Sequence, residues 1–213
     1  MFRALMAIAF STLLCWQALA SGRSELKAGY AALMRHDYER AIAYLTNAIE
    51  AGDLRRTDLA LAYHYRGAEY LKTQRYDEAI TDFDKAIELD GKLATAYSDR
   101  GIAWRRKGDN ARAISDYSEA IRLWPNWHGY YLNRGLAYAA AGRNEEAIAD
   151  YDKALFYKPD LAEAFIARGD AHLQQGRNNE ALANYRRAIH ERPDVLMEYP
   201  GLAAKLTALG SRP

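Results

Sequence analysis

The chain has 213 residues, half of them hydrophobic and 27% charged, with a formal net charge of +1, one cysteine and sixteen tyrosines. That composition excludes a disordered or collagen-like chain, and the near-neutral charge argues against binding nucleic acid by massed phosphate neutralisation. A single cysteine, Cys15, also excludes an internal disulfide framework and a cysteine-rich zinc site.

Residues 1–20 begin with Met1-Phe2-Arg3, continue as an apolar run from Ala4 to Trp16 and end in Ala18-Leu19-Ala20. This is the pattern of a secretory signal peptide, with cleavage expected after Ala20. An uncleaved membrane anchor is the alternative. Against it, Ser11, Thr12 and Gln17 interrupt the run, which is shorter than the ~20 residues of a spanning helix. Cleavage would take Arg3 from the 29 basic residues, leaving 28 against 28 acidic ones, and would remove Cys15. A neutral, thiol-free chain suits an oxidising compartment.

Beyond residue 20 a 34-residue period governs the chain. Arg-Gly recurs at Arg66-Gly67, Arg100-Gly101, Arg134-Gly135 and Arg168-Gly169, and a fixed period of this size marks a repeat architecture. With glycine as position 8, position 20 is Ala79, Ala113, Ala147 and Ala181, and position 27 is Ala86, Ala120, Ala154 and Ala188. Position 4 is Tyr63, Tyr97, Tyr131 and Phe165; position 24 is Phe83, Tyr117, Tyr151 and Tyr185. A diverged earlier copy starts at Gly22 and carries Gly29, Ala41 and Ala48. Its glycine precedes Gly67 by 38 residues, so four extra residues are expected near Gly52-Asp53-Leu54-Arg55. Apolar residues at helical spacing make each unit two helices, broken at Gly108-Asp109-Asn110, Gly142-Arg143-Asn144 and Gly176-Arg177-Asn178. Asn144 is expected to cap its second helix. Pro125, Pro159 and Pro193 then end the second helices, and Gly201 to Leu209 reads as a short amphipathic helix with a Leu202, Leu206 and Leu209 stripe.

These columns resemble the tetratricopeptide repeat, with its aromatics at 4, 11 and 24, small residues at 8, 20 and 27, and proline at 32. The departures are Arg at position 7, Gly91 in place of a proline, and Glu25 and Ala32 where the first unit should carry aromatics. The resemblance implies an all-α, right-handed solenoid of five helical hairpins at 22–55, 60–93, 94–127, 128–161 and 162–195, closed by a capping segment at 196–209. It also implies a concave face lined by positions 2, 5, 9, 12 and 13 of each first helix. Mapped here, that face holds Tyr30 and Leu33, His64 and Lys72, Ile102, Arg105 and Arg106, Leu132 and Leu136, and Ile166, Asp170 and Gln174. It would be basic near its middle and apolar toward its C-terminal half, suited to a protein segment bearing acidic and apolar side chains. The alternative for Lys72, Arg105 and Arg106 is that they sit in the last turns of their helices, where the dipole favours cations. The family's carboxylate clamp needs Lys at 5 and Asn at 9 of its first unit; Leu26 and Tyr30 stand there, so that site is not expected.

One column pair varies in step. Arg at position 7 accompanies Asp82, Asp116, Asp150 and Asn184 at position 23, whereas the first unit has Ala28 and Tyr44. A polar bridge between the helices, Arg100 with Asp116 for example, is one reading; two solvated columns are the other.

No nucleophile elbow, phosphate loop or helical histidine pair is present, and the five histidines fall at unrelated repeat positions. No enzyme activity, cofactor, metal or nucleic acid is therefore expected. The sequence points to an exported, non-catalytic scaffold of the bacterial periplasm that holds a partner segment in its groove. The alternative is an accessory subunit of an envelope peptidoglycan or polysaccharide enzyme system, touching glycan through Trp124, Trp127 and Tyr130. The preferred reading of those rings is that they pack at the turn between the third and fourth units, since solenoid joins bury such rings.

Overall fold

The computed structural model describes residues 21–210, so the expected signal segment and its cleavage point lie outside the described residues. Regular structure within them is entirely α-helical. The first compact unit, ending at Gly91, contains α1 (Gly22–Met34), α2 (Tyr38–Glu50), α3 (Arg56–Lys72) and α4 (Tyr76–Leu89). The second begins at Lys92 with α5 (Ala94–Arg106), α6 (Asn110–Leu123), α7 (His128–Ala140), α8 (Asn144–Tyr157), α9 (Ala162–Gln174) and α10 (Asn178–Glu191). It closes with the short α11 (Val195–Glu198) and α12 (Pro200–Ala208). Helices pair as α1/α2, α3/α4, α5/α6, α7/α8 and α9/α10, and within each unit every hairpin packs against the next.

The alanine columns explain the close approach. Ala79, Ala113, Ala147 and Ala181, with Ala86, Ala120, Ala154 and Ala188, are wholly buried. The glycine at position 8 does more than save space. A Cβ on Gly135 would stand 2.5 Å from Cε1 of Tyr151 and 3.2 Å from the Ala147 carbonyl oxygen. The position-24 ring therefore crosses directly beneath the first helix, and only glycine leaves it room.

Arginine at position 7 fastens each of these hairpins. Nε and Nη2 of Arg134 donate to the two carboxylate oxygens of Asp150 at 2.7 and 2.8 Å, and Nη1 donates to Ser118 of the preceding hairpin at 3.0 Å. Arg66 repeats this on Asp82 and Thr46, and Arg100 grips Asp116 at 2.9 and 2.7 Å. The bridge is the observed state and the solvated reading is not, because the three aspartates are buried. In the last hairpin Arg168 donates to the neutral Asn184 at 2.8 Å, and Asp152 of the preceding hairpin supplies the negative charge.

Two local expectations are corrected. The four extra residues before the second repeat are not taken up at 52–55: they extend α3 by a turn, to 17 residues against 13 in α5, α7 and α9, and the link 51–55 is only one residue longer than the later links. Arg56 in that turn donates to the carbonyls of Leu89 and Glu88, closing the C-terminal end of α4. Second, Asn144 is the first residue of α8 and not its cap. Arg143 holds the cap position and makes no side-chain capping bond. Asp109 does cap α6, accepting from the Arg112 amide at 3.0 Å. The left-handed turn at φ +86°, +75° and +71° in Gly108, Gly142 and Gly176 places each cap one residue earlier than the sequence suggested.

The final segment covers the last hairpin as expected. Leu202 and Leu206 are buried in the cluster containing Phe165, Ile166 and Tyr185, with Leu209 partly buried beside them.

Candidate functional site

The inner face of each unit is built by its first helices, and the expected site residues divide between the two units. In the first unit the face is largely occupied by its own contacts. Tyr30 meets Tyr65 edge to face at 5.0 Å, and burial pushes its phenol up to about 12. Leu33 is half-buried. His64 is buried, with its ring 5.3 Å from Tyr65 and 5.9 Å from Phe83. Lys72 lies in the last turn of α3, the alternative the sequence left open for it, with Nζ 2.5 Å from a carboxylate oxygen of buried Glu69 and 5.5 Å from the ring of Tyr38. Glu69 takes a position that is alanine in the three later repeats, Ala103, Ala137 and Ala171, and sequence comparison between repeats could have flagged it.

The second unit is different. Leu132, Leu136, Ile166, Asp170 and Gln174 all line one pocket of about 630 Å³ between α7, α9 and the α11–α12 segment. Leu202 and Tyr199 add a wall from the capping segment, so the cap also shapes the groove it terminates. Lys205 of α12 donates to Asp170 at 2.6 Å, and Tyr185 donates to the same oxygen at 2.6 Å. Arg192 ties Glu163 and Glu198 together at the rim, at 2.9 and 2.6 Å. The pocket is apolar at its walls and its rim charges are matched.

The position-24 tyrosines lie beneath the first helices, and Tyr151 adds to the pocket lining. Tyr117 and Tyr151 are wholly buried; the Tyr151 hydroxyl has no partner, and the Tyr117 hydroxyl has only the Arg105 side chain beside it. Burial pushes Tyr117 up to about 12 against the pull of nearby Arg105. Burial raises Tyr151 also, with Asp170 adding to the rise and Arg105 opposing it. Arg105 is half-buried and its Nε has no partner, whereas Arg106 is exposed. Ile102 packs with Tyr117 and Ala137. Sequence reasoning named Arg105 and the apolar pocket residues for this face and gave the position-24 hydroxyls no place on it. The Phe-to-Tyr change down position 24 was the available signal.

The aromatic cluster proposed for glycan contact is only partly assembled. Tyr130 is buried against Ala94 and Ala120, away from a ligand-accessible surface. Trp124 and Trp127 stack at 5.7 Å and stay 52% and 44% exposed, so the turn does not bury them as expected. Among the described residues no group of three or more His, Cys, Asp or Glu side chains could hold a metal, and no helix is long and apolar enough to cross a membrane.

Comparison with known proteins gives a consistent set of likenesses. A family model described as TPR repeat matches residues 135–176, and two described as tetratricopeptide repeat match 60–93 and 162–195. The Hsp70-Hsp90 organizing protein of Triticum aestivum is 38% identical over 69 residues; the match covers 32% of this chain and spans only 11% of that protein. The crystal structure of MamA is 23% identical with a TM-score of 0.71, covering 84% of this chain and 94% of that one. YrrB, described as a TPR protein with an unusual peptide-binding site, is 22% identical with a TM-score of 0.69, covering 86% and 92%. At such identities the structural likeness speaks for the fold.

Proposed function

The chain is a tetratricopeptide-repeat protein, and from that premise we propose that it is a non-catalytic adaptor that holds a segment of a partner protein on its first-helix face. The observation that carries this reading is the pocket of the second unit, where five of the residues expected on that face converge around apolar walls. A concave, mostly apolar site with a few placed polar groups is what ligand recognition requires. YrrB's described peptide site and the matched stretch of the organizing protein support the same class of role. The clamp for a chaperone tail is not part of the proposal, since Leu26 is buried and Tyr30 is packed on Tyr65. Residues 1–20 further support export to a bacterial periplasm, which N-terminal sequencing of the processed protein starting at Ser21 would verify.

A photo-crosslinking residue at Leu136 or, separately, at exposed Phe156 tests the adaptor role in cells. Protein adducts from Leu136 and none from Phe156 are expected; adducts only from Phe156 would overturn it. A second reading, contact with envelope glycan, is favoured by one observation, the exposed stacked pair Trp124 and Trp127. Retention of the protein on isolated sacculi that disappears in Trp124→Ala would support that reading.

A further inference from the structure

Two links of the second unit place aromatic rings where the neighbouring repeats place polar or charged side chains. Position 31 is Asp90, Lys158 and Arg192 in the second, fourth and fifth hairpins but Trp124 in the third. Position 29 is Glu88, Arg122 and His190 in the second, third and fifth but Phe156 in the fourth. Neither ring fills a core, since Trp124 is over half exposed and Phe156 is 75% exposed. The rings are nonetheless joined. Trp124 stacks on Trp127, and the hydroxyl of Tyr131 donates to the carbonyl of Pro125 between the two indoles at 2.9 Å. Tyr131 then meets Tyr157 at 5.6 Å, and Tyr157 meets Phe156 at 5.2 Å. One ridge therefore follows the edge where α6 and α8 end.

An exposed aromatic patch of this kind, absent from the packing scheme of the repeats, marks an interaction surface. Cations border it. Lys153 Nζ lies 6.0 Å from the Phe156 ring, and burial together with nearby Lys158 lowers the proton affinity of His128, the ring beside Trp127.

Three coverings differ in what they need. A sugar needs an open ring face with hydrogen-bonding groups around it, but Trp124 and Trp127 spend a face on each other and Phe156 has no polar atom. A second copy meeting the ridge about a two-fold axis sets Lys153 and Lys158 against the same lysines. The headgroup boundary of a bilayer suits every part: indoles settle there, the phenyl ring reaches the acyl chains, and the lysines meet anionic headgroups.

We propose that this ridge docks the protein on an anionic lipid surface, with Trp124, Trp127 and Phe156 entering the headgroup boundary and Lys153 and Lys158 on the lipid phosphates. The contact is peripheral, since no described helix is long and apolar enough to cross a bilayer. It uses none of the residues that line the pocket and does not depend on the adaptor role.

The test is co-sedimentation of the purified chain with vesicles of phosphatidylcholine that contain phosphatidylglycerol, and with vesicles of phosphatidylcholine alone. Residues 4–16 would themselves enter lipid wherever they are retained, so each variant is read against a parent with the same N-terminus. Preferential binding to the anionic vesicles is expected, with indole emission quenched by acyl-brominated lipid. Trp124→Ser and Phe156→Ser should each weaken binding about tenfold, as loss of a buried aromatic does. Their melting temperatures should match the parent, because both side chains are exposed. Lys153→Gln and Lys158→Gln should each weaken it about fivefold, on the anionic vesicles alone. Lys107→Gln, in the turn at the opposite end of the third hairpin, should leave it unchanged. No vesicle binding, equal binding to both vesicles, or binding indifferent to both aromatic variants would overturn the proposal. So would Trp124-dependent retention on sacculi without quenching by lipid, which gives the ridge to glycan. A dimer that Phe156→Ser dissolves, with no vesicle binding, gives it to a second copy and overturns the proposal too.

Discussion

The two units share one hairpin design, yet their inner faces present different surfaces. In the first unit Lys72 is neutralised by buried Glu69, Tyr30 is packed on Tyr65, and position 24 holds Leu45 and Phe83, which carry no hydroxyl. In the second, position 24 holds tyrosines, and the face carries an apolar pocket walled by Leu132, Leu136, Ile166 and Leu202. The lesson is that the repeat columns fix the scaffold while a few off-column choices decide which stretch can hold something. One glutamate in place of an alanine draws Lys72 into an ion pair in the first unit, and the capping segment adds the wall that makes a pocket in the second.

If the scaffold really is common to both, equivalent bridges should be equally costly to break. Arg66→Ala and Arg134→Ala each leave a buried aspartate without its counter-charge and should each cost about 3–5 kcal/mol in denaturant unfolding. Arg168→Ala should cost less, about 1–3 kcal/mol, because Asn184 is neutral. Unequal losses at Arg66 and Arg134 would break the parallel.

The glycine crossings come next. Gly135→Ala brings a Cβ to 2.5 Å from the Tyr151 ring, whereas Gly67→Ala meets Phe83 at 2.9 Å. Both should destabilise by about 1–3 kcal/mol, with Gly135 the worse. Equal melting temperatures for wild type and Gly135→Ala would contradict the ring's path.

Alkaline pH should act mainly through the second unit's column of tyrosines. Burial holds Tyr117 protonated up to about 12, and Tyr151 and Tyr185 are raised as well, the last also by its bond to Asp170. In the unfolded chain these phenols would ionise near their ordinary value of 10.0. Their contribution is thus complete below pH 10 and is lost as pH climbs through the raised values. Absorbance at 295 nm should show exposed tyrosines titrating first and a late, cooperative group coinciding with loss of helical circular dichroism. Titration of all tyrosines in one step near pH 10 would remove the claim.

The smallest effect separates two hydroxyls of the same column, one without a partner and one bonded to Asp170. Tyr151→Phe removes an unsatisfied hydroxyl and should leave stability unchanged or raised by up to about 1 kcal/mol, while Tyr185→Phe should lower it by about 1 kcal/mol.

Much of this was legible in the sequence. The alanine columns, the hairpin breaks and the Arg-to-Asp pairing followed from 34-residue recurrence, since a packing position reuses the same residue in every copy. What recurrence does not encode was missed. The added turn of α3 has no counterpart elsewhere, so nothing in the period distinguished helix from loop. Trp124 and Trp127 sit in a link between hairpins, outside any packing column, and stack on each other in the open. Lys72 looked available because its partner, Glu69, lies at a position that the repeat pattern assigns to neither binding nor charge. The burial of the position-24 hydroxyls needed the ring's passage under glycine, a three-dimensional fact.

Arg168 carries one further consequence. Its charge partner belongs to the hairpin made before it, since Asp152 lies in α8 while Arg168 lies in α9. Severed from its neighbour, the last hairpin would set a half-buried guanidinium against an amide alone. The last hairpin thus takes its counter-ion from the one before it, so its electrostatics are complete only when α8 is already in place.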